Sequence, residues 1–287
     1  MAISVAYLVL LCSIFIQAAV SHGGLANYTV GETWYRGFDP NERSDEQVGQ
    51  PWMVQRRWDS IDPIFHVNDS GLACNTPGTT AISYIPIRAG ENLTAVYWYW
   101  LHPVGPMTVW LAACDAFGGC EKADPNKLEF FKIAEAGLLN GSVPEGIWYQ
   151  KAFQNWDGSP DLWPVIIPRT IKPGLYIVRH EILSLHIENK PQFYPECAHL
   201  NITGTGSSFP SQDHLVRFPG AYRADDPSIN INIYTDEMKR TEVCSYAKHY
   251  GTSLTISRTT QFQDLRYGAA DYSSRLVHPI GLFSGIH

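Results

Sequence analysis

The feature that most constrains this chain is its punctuation: 23 glycines and 19 prolines among 287 residues, spread so that the apolar stretches between them stay short. Inside a helix glycine costs about 1 and proline about 3 kcal/mol relative to alanine, so long helices are penalised. The Val, Ile, Thr and aromatic residues in the intervening stretches favour short strands instead. The pattern implies an all-β chain without heptads or internal repeats. Strand candidates run from Ala81 to Ile87, Leu93 to Leu101, Met107 to Ala112, Leu175 to Leu185, His199 to Ile202 and Ile229 to Tyr234. On the second of these, period two puts Trp98, Trp100 and His102 on one side. The stretch from Pro40 to Pro63, carrying Trp52 and Trp58, reads as a surface loop, and Asp115 to Asn126 as another. Between Glu135 and Pro168, turn signals leave room for a helical turn or two at most.

Charge narrows the partners. With a formal charge of −7 and no Lys/Arg-rich stretch, the chain lacks the basic footprint that binding of nucleic acid demands. Only 17% of residues are charged, against nine Trp, fifteen Tyr and twelve Phe. That balance suits a neutral partner offering CH faces and hydroxyls, with carbohydrate the leading candidate.

Residues 1–21 read as a signal peptide. Ala6 to Val20 form an apolar run too short to span a bilayer, followed by the small-residue site Ala19-Val20-Ser21. Cleavage after Ser21 makes His22 the mature N-terminus, and no second stretch could cross a membrane, so a secreted, extracellular protein is expected. Sequons at Asn27, Asn68, Asn92, Asn140 and Asn201 agree with a glycosylating pathway. Cys12 leaves with the signal, and Cys74, Cys114, Cys120, Cys197 and Cys244 allow two bridges and one leftover thiol. Cys114 and Cys120 enclose a short glycine-containing turn and can pair locally. Cys74 and Cys197 can then close a long loop, worth about 4 to 5 kcal/mol in the chain-entropy model. Beyond Asp236 the chain turns polar, and 237–287 reads as an extension with no sign of a carbohydrate-binding module. The functional unit is then 22–236.

A chain that begins with histidine can chelate a metal through its α-amino group and ring Nδ1 together. The amine pKa of about 8 lets a metal displace the proton. One further imidazole completes a planar set of three nitrogens, a geometry that selects copper(II). The segments that follow such a start here are "HGGLANYTVGETWYRGFDP" from His22, "LACN" from Leu72, "HPVGPMTVWLAAC" from His102, "EFFKIAEAGL" from Glu129, "RHEILSLHIENKPQFYPECAHLNITG" from Arg179 and "FPGAYRADDPSININIY" from Phe218. In this order they resemble the fungal lytic polysaccharide monooxygenases of auxiliary activity family 9, formerly glycoside hydrolase family 61. The Gln-x-Tyr-Pro-x-Cys stretch, Gln192 to Cys197, is the most specific of them.

The resemblance implies an immunoglobulin-like, fibronectin type III-like β-sandwich with long loops building a flat substrate face. It implies one copper ion held by the amine and Nδ1 of His22 and by Nε2 of His102, with Tyr194 as the axial phenol. It places His186 and Gln192 in the second sphere, with His180 as the fallback for His186, and Tyr222 on the substrate face. His102 is followed by two residues before Gly105-Pro106, where the family commonly has one. The implied activity is oxidation of β-1,4-glucan at C1 or C4, using dioxygen or hydrogen peroxide. Electrons come from an external donor, either a small reductant or a secreted dehydrogenase, and the protein is expected to act as a monomer. A non-catalytic copper- or carbohydrate-binding protein of the same fold is the alternative. A glycoside hydrolase would need two carboxylates across a cleft, and nothing singles out such a pair.

Overall fold

The computed structural model describes residues 22–235 except Tyr99, Trp156 and Gly158. The signal segment, the 237–287 extension, Asp236 and Cys244 therefore lie outside the described residues.

Eleven strands are described: β1 (Leu25–Val30), β2 (Thr33–Arg36), β3 (Ile85–Arg88), β4 (Asn92–Tyr97), β5 (Met107–Ala113), β6 (Phe131–Ala136), β7 (Leu138–Asn140), β8 (Ile147–Trp148), β9 (Asp161–Ile166), β10 (Gly174–Ser184) and β11 (Gln192–Thr203). One five-residue helix, α1 (Tyr149–Phe153), follows β8. A four-stranded antiparallel sheet, β2-β1-β4-β9, faces a five-stranded sheet, β3-β11-β10-β5-β6, in which only the β3–β11 pair is parallel. This is an immunoglobulin-like β-sandwich, with a small β7–β8 hairpin beside it.

Period two divides the larger sheet between two interiors. Val109 and Leu111 of β5 and Val178 and Ile182 of β10 meet Leu25, Leu93, Ala95 and Trp163 from the facing sheet. The alternate residues, Trp110, Ala112, Ile177 and Leu183, point the other way into a second cluster with Phe193, Phe218, Tyr222, Ile229, Ile231 and Ile233. Both faces of β10 are thus covered, so that even Arg179, His180 and Glu181 in its middle are buried. The predicted bridges Cys74–Cys197 and Cys114–Cys120 are both formed.

Several expected strands are corrected. Ile229 to Tyr234 is not a strand: its alternating isoleucines are buried, but the backbone has no ladder partner, only turn bonds and one bond from Asn189 N–H to the Ile231 carbonyl. The strand expected from Ala81 begins at Ile85. The one expected to reach Leu101 stops at Tyr97, because its neighbours stop there too: Tyr97 faces Leu25 at the start of β1 and Asp161 at the start of β9. Trp98, Trp100 and His102 therefore do not share a strand face. The 40–63 loop is not simply a surface feature either. Trp58 is buried with Phe38, Met53 and Ala81 in a small core of its own.

Candidate metal centre

The end of β4, the start of β5, the end of β10 and the starts of β1 and β11 converge at one end of the sandwich. His22 lies three residues before β1, tied down where Trp98 N–H donates to the Gly24 carbonyl and Leu25 N–H to the Glu196 carboxylate. A Cβ on Gly24 would fall 2.2 Å from the Trp58 ring and 2.9 Å from Glu196, so the approach requires glycine. His102 stands in the turn between β4 and β5, and Tyr194 is the third residue of β11, opposite Ile182. Gln192 opens β11 opposite Ser184, and His186 follows β10.

These elements bring the rings together. The His22 centroid is 5.1 Å from His102 and 5.9 Å from Tyr194, and His102 is 6.3 Å from Tyr194. His186 stacks on His102 at 4.0 Å, nearly parallel at 9°. Its Nδ1 is held 2.7 Å from the Ser184 hydroxyl. The Tyr194 hydroxyl donates to Gln192 Oε1 at 2.9 Å. Trp100 forms the wall behind, edge-on to Tyr194 at 4.8 Å and to His102 at 5.4 Å.

Electrostatics keep these groups neutral. Burial, reinforced by His186 and His22, lowers the His102 pKa to about 4, and burial and His22 lower that of His186. Burial raises the Tyr194 pKa, with the nearby Asp62 charge adding to it, so the phenol keeps its proton. Near neutral pH the two imidazoles are uncharged. His102 Nε2 is buried and has no hydrogen-bond partner. An orphaned buried nitrogen is costly unless something outside the polypeptide answers it. A metal ion meets that need, and imidazole and phenol are donors suited to copper. Among the described residues no three His, Cys, Asp or Glu side chains group as a metal site.

Other expectations are redirected. Tyr222 is not on the surface: it is 5% exposed, and its hydroxyl donates to Glu181. The reason is a buried cluster in which Arg179 donates to Glu181 and to the carbonyls of Leu72 and Ala73, leaving Glu181 in need of hydroxyl donors. His180 is fully buried against Tyr28 and Trp163, in the core rather than beside the rings. Tyr234, which sequence reasoning assigned only to a strand, is 70% exposed, with its hydroxyl donating to the His186 carbonyl at 2.6 Å. Its adjacent alternating isoleucines hid it. Asn68, Asn92, Asn140 and Asn201 are exposed and Asn27 is half-buried.

The molecule is therefore an immunoglobulin-like sandwich that gathers three imidazoles and a phenol at one end. The family model of Auxiliary Activity family 9 (formerly GH61) matches residues 22–243, and the chain belongs to that family. It is an oxidoreductase of the polysaccharide monooxygenase type. It is 38% identical over 228 residues to the AA9 family lytic polysaccharide monooxygenase B of Heterobasidion irregulare, covering 78% of this chain and 90% of that one. It is 33% identical over 228 residues to monooxygenase D of Thermothelomyces thermophilus, covering 75% and 83% respectively. Among solved structures, that of HiLPMO9B superposes with a TM-score of 0.73 at 36% identity, covering 80% of this chain and all (100%) of the other. A cellulose-active polysaccharide monooxygenase from M. thermophila gives 0.71 at 29% identity, covering 80% and 99%.

Proposed function

We propose that the mature protein begins at His22, binds one copper ion and oxidatively cleaves β-1,4-glucan at C1 or C4. The observation that carries this reading is the ring cluster with its unanswered nitrogen: His22 and His102 5.1 Å apart, Tyr194 beside both, and His102 Nε2 buried without a partner. His22, through its amine and Nδ1, and His102, through Nε2, would hold the ion, with the Tyr194 phenol beside both rings. The bound copper supplies one-electron redox chemistry, so that R–H, dioxygen, two electrons and two protons give R–OH and water, or R–H and hydrogen peroxide give the same products. The electrons come from an external reductant.

The polypeptide's contribution is to hold the groups in place. Tyr194 occupies the carbonyl end of Gln192, which leaves the amide N–H end as the donor it can offer to the site. Ser184 fixes the His186 ring by its Nδ1, leaving Nε2 as the nitrogen that gives or takes a proton. The exposed Tyr234 phenol, Ile187 and Phe65, the last beneath the Lys190 ammonium at 4.6 Å, offer a face for sugar rings around the site. The M. thermophila protein, described as cellulose-active, supports cellulose as the substrate. The family's proteins are secreted, and the family match begins at residue 22, which supports removal of 1–21, an extracellular location and a functional unit that starts there; the match runs to residue 243, beyond the expected boundary at 236. Exposure of four of the five sequon asparagines suits glycosylation during that passage.

The test incubates copper-loaded protein, its N-terminus confirmed as His22, with cellulose, with and without ascorbate. Reductant-dependent aldonic acids or 4-keto sugars are expected. Copper binding without products would identify a non-catalytic binding protein, and neutral sugars formed without reductant a hydrolase.

A further inference from the structure

We infer that Gln150, on α1 and far in sequence from every proposed ligand, is a positioning residue for His102. This rests on the copper reading above and adds to it the part of the chain that sets the ligand's geometry.

Gln150 is fully buried, with 0% of its surface exposed. Its Oε1 accepts from the Trp100 indole N–H at 2.9 Å, and its Nε2 donates to the Leu183 carbonyl at 2.8 Å and more weakly to the Pro106 carbonyl at 3.4 Å. The same indole N–H donates to the backbone carbonyl of His102 itself at 2.8 Å. One amide thus grips the chain before His102 through Trp100, the chain after it at Pro106, and the end of β10 one residue before Ser184. Trp100 is also the wall against which both the His102 and Tyr194 rings stand edge-on. Moving the indole would move both rings.

The turn itself needs such a clasp. It carries two residues between His102 and Gly105, and it lies flat on the end of β10, where Leu183 N–H donates to the Pro106 carbonyl and Leu185 N–H to the Val104 carbonyl. Gly105 has φ +129°, and a Cβ there would lie 1.9 Å from the Leu183 oxygen and 3.0 Å from Gln150 Nε2. The Leu183 carbonyl that Gly105 approaches is therefore the one Gln150 holds. Backbone bonds fix the far side of the turn to β10. Gln150 and Trp100 fix the near side to the core, so the His102 side chain departs from a backbone held on both flanks.

Two variants test this, Gln150→Met and Trp100→Phe, with the double variant. Each removes the hydrogen bonds while keeping most of the volume, and the second keeps an aromatic wall. Copper(II) affinity is measured by calorimetry, the copper geometry by electron paramagnetic resonance, and the His102 ring nitrogens of the copper-free protein by ¹⁵N NMR. The expected result is a loss of affinity of roughly ten- to a hundredfold, the range for outer partners of metal ligands. Shifted copper hyperfine values and a shifted His102 ¹⁵N signal should accompany it, and the double variant should lose little beyond either single one because the residues act through one bonded unit. If the variants melt earlier but bind copper with wild-type affinity and an unchanged spectrum, Gln150 is structural only and the inference fails. If the unaltered protein itself binds no copper, the underlying copper reading fails instead, and the two failures are distinct.

Discussion

Two buried polar regions lie on opposite sides of the same β10–β11 ribbon, and they answer burial differently. At the Arg179–Glu181 clasp, the guanidinium and carboxylate, both within 1% of complete burial, bond each other at 2.6 Å. Arg179 also stands 3.7 Å over the Phe218 ring and donates to the Leu72 and Ala73 carbonyls, while Glu181 accepts from Tyr222 and Thr108. Apart from Arg179 Nη1, which keeps no partner, the needs of the pair are met by the chain, and Phe218 and Tyr222 are docked against it. At the ring cluster, a half-buried imidazole keeps Nε2 unanswered beside two other donor rings at the protein surface. Burial of polar groups therefore does not mark a site by itself. His180 and His199 also keep unpartnered nitrogens, but they are fully enclosed, and no second donor ring of the cluster faces them. What distinguishes His102 is an unmet nitrogen on a half-buried ring with two other donor rings beside it.

The sharpest way to break this contrast is His102→Ala. Copper affinity should fall by more than the roughly hundredfold that outer partners cost, while the melting temperature of the copper-free protein stays near that of the unaltered chain; calorimetry and thermal scans read both. Arg179→Met should invert that pattern. It strands the Glu181 carboxylate, at a cost of about 3–5 kcal/mol by the behaviour of broken buried pairs, yet the folded fraction should bind copper normally. Adding Glu181→Leu should return much of the lost stability in denaturant titrations.

The enclosed histidines predict a pH effect on the copper-free fold. Burial lowers the pKa of His180 to about 3 and that of His199, with Arg56 nearby, also to about 3. The stability they contribute is complete above their ordinary value of 6.5 and is lost as the pH falls toward 3. Burial raises Asp161 from 3.8 to about 7, so its contribution is complete below 3.8 and lost as pH rises through 7. Burial likewise raises Glu196 from 4.5 to about 8 and lowers His102 to about 4, so three histidines stand against two carboxyl groups, and stability should climb between about pH 4.5 and 6.5. His180→Phe should flatten that climb in urea midpoints measured across the range, and an unchanged slope would refute the assignment. The smallest effect is expected for Tyr234→Ala, which should weaken retention on cellulose a few-fold without altering copper affinity.

Legibility in the sequence followed the same division. β10 was readable to within a residue at each end because apolar residues flank its polar Arg179-His180-Glu181 run on both sides, and the gathering of His22, His102, His186, Tyr194 and Gln192 was readable because their motifs travel with the chain. β9 was not, since Pro164 lies in its middle; the strand tolerates it because β9 is at a sheet edge and pairs only with β4. β6 was missed because Lys132 and Glu135 interrupt its apolar pattern, yet Lys132 is buried and paired to that glutamate. Tyr222 was placed on the wrong side of the surface because its position is set by a partner in β10, Glu181, which no local pattern reveals. Gln150 gave no signal at all: its role exists only once three distant segments meet.

The proposed metal centre requires His22 to be the first residue. The most direct test compares copper(II) binding and the paramagnetic resonance spectrum of protein starting at His22 with protein carrying one additional glycine before it. Tight binding and a tetragonal nitrogen-ligated signal are expected in the first, and loss of both in the second. Equal affinity and an identical spectrum in the two would contradict this requirement.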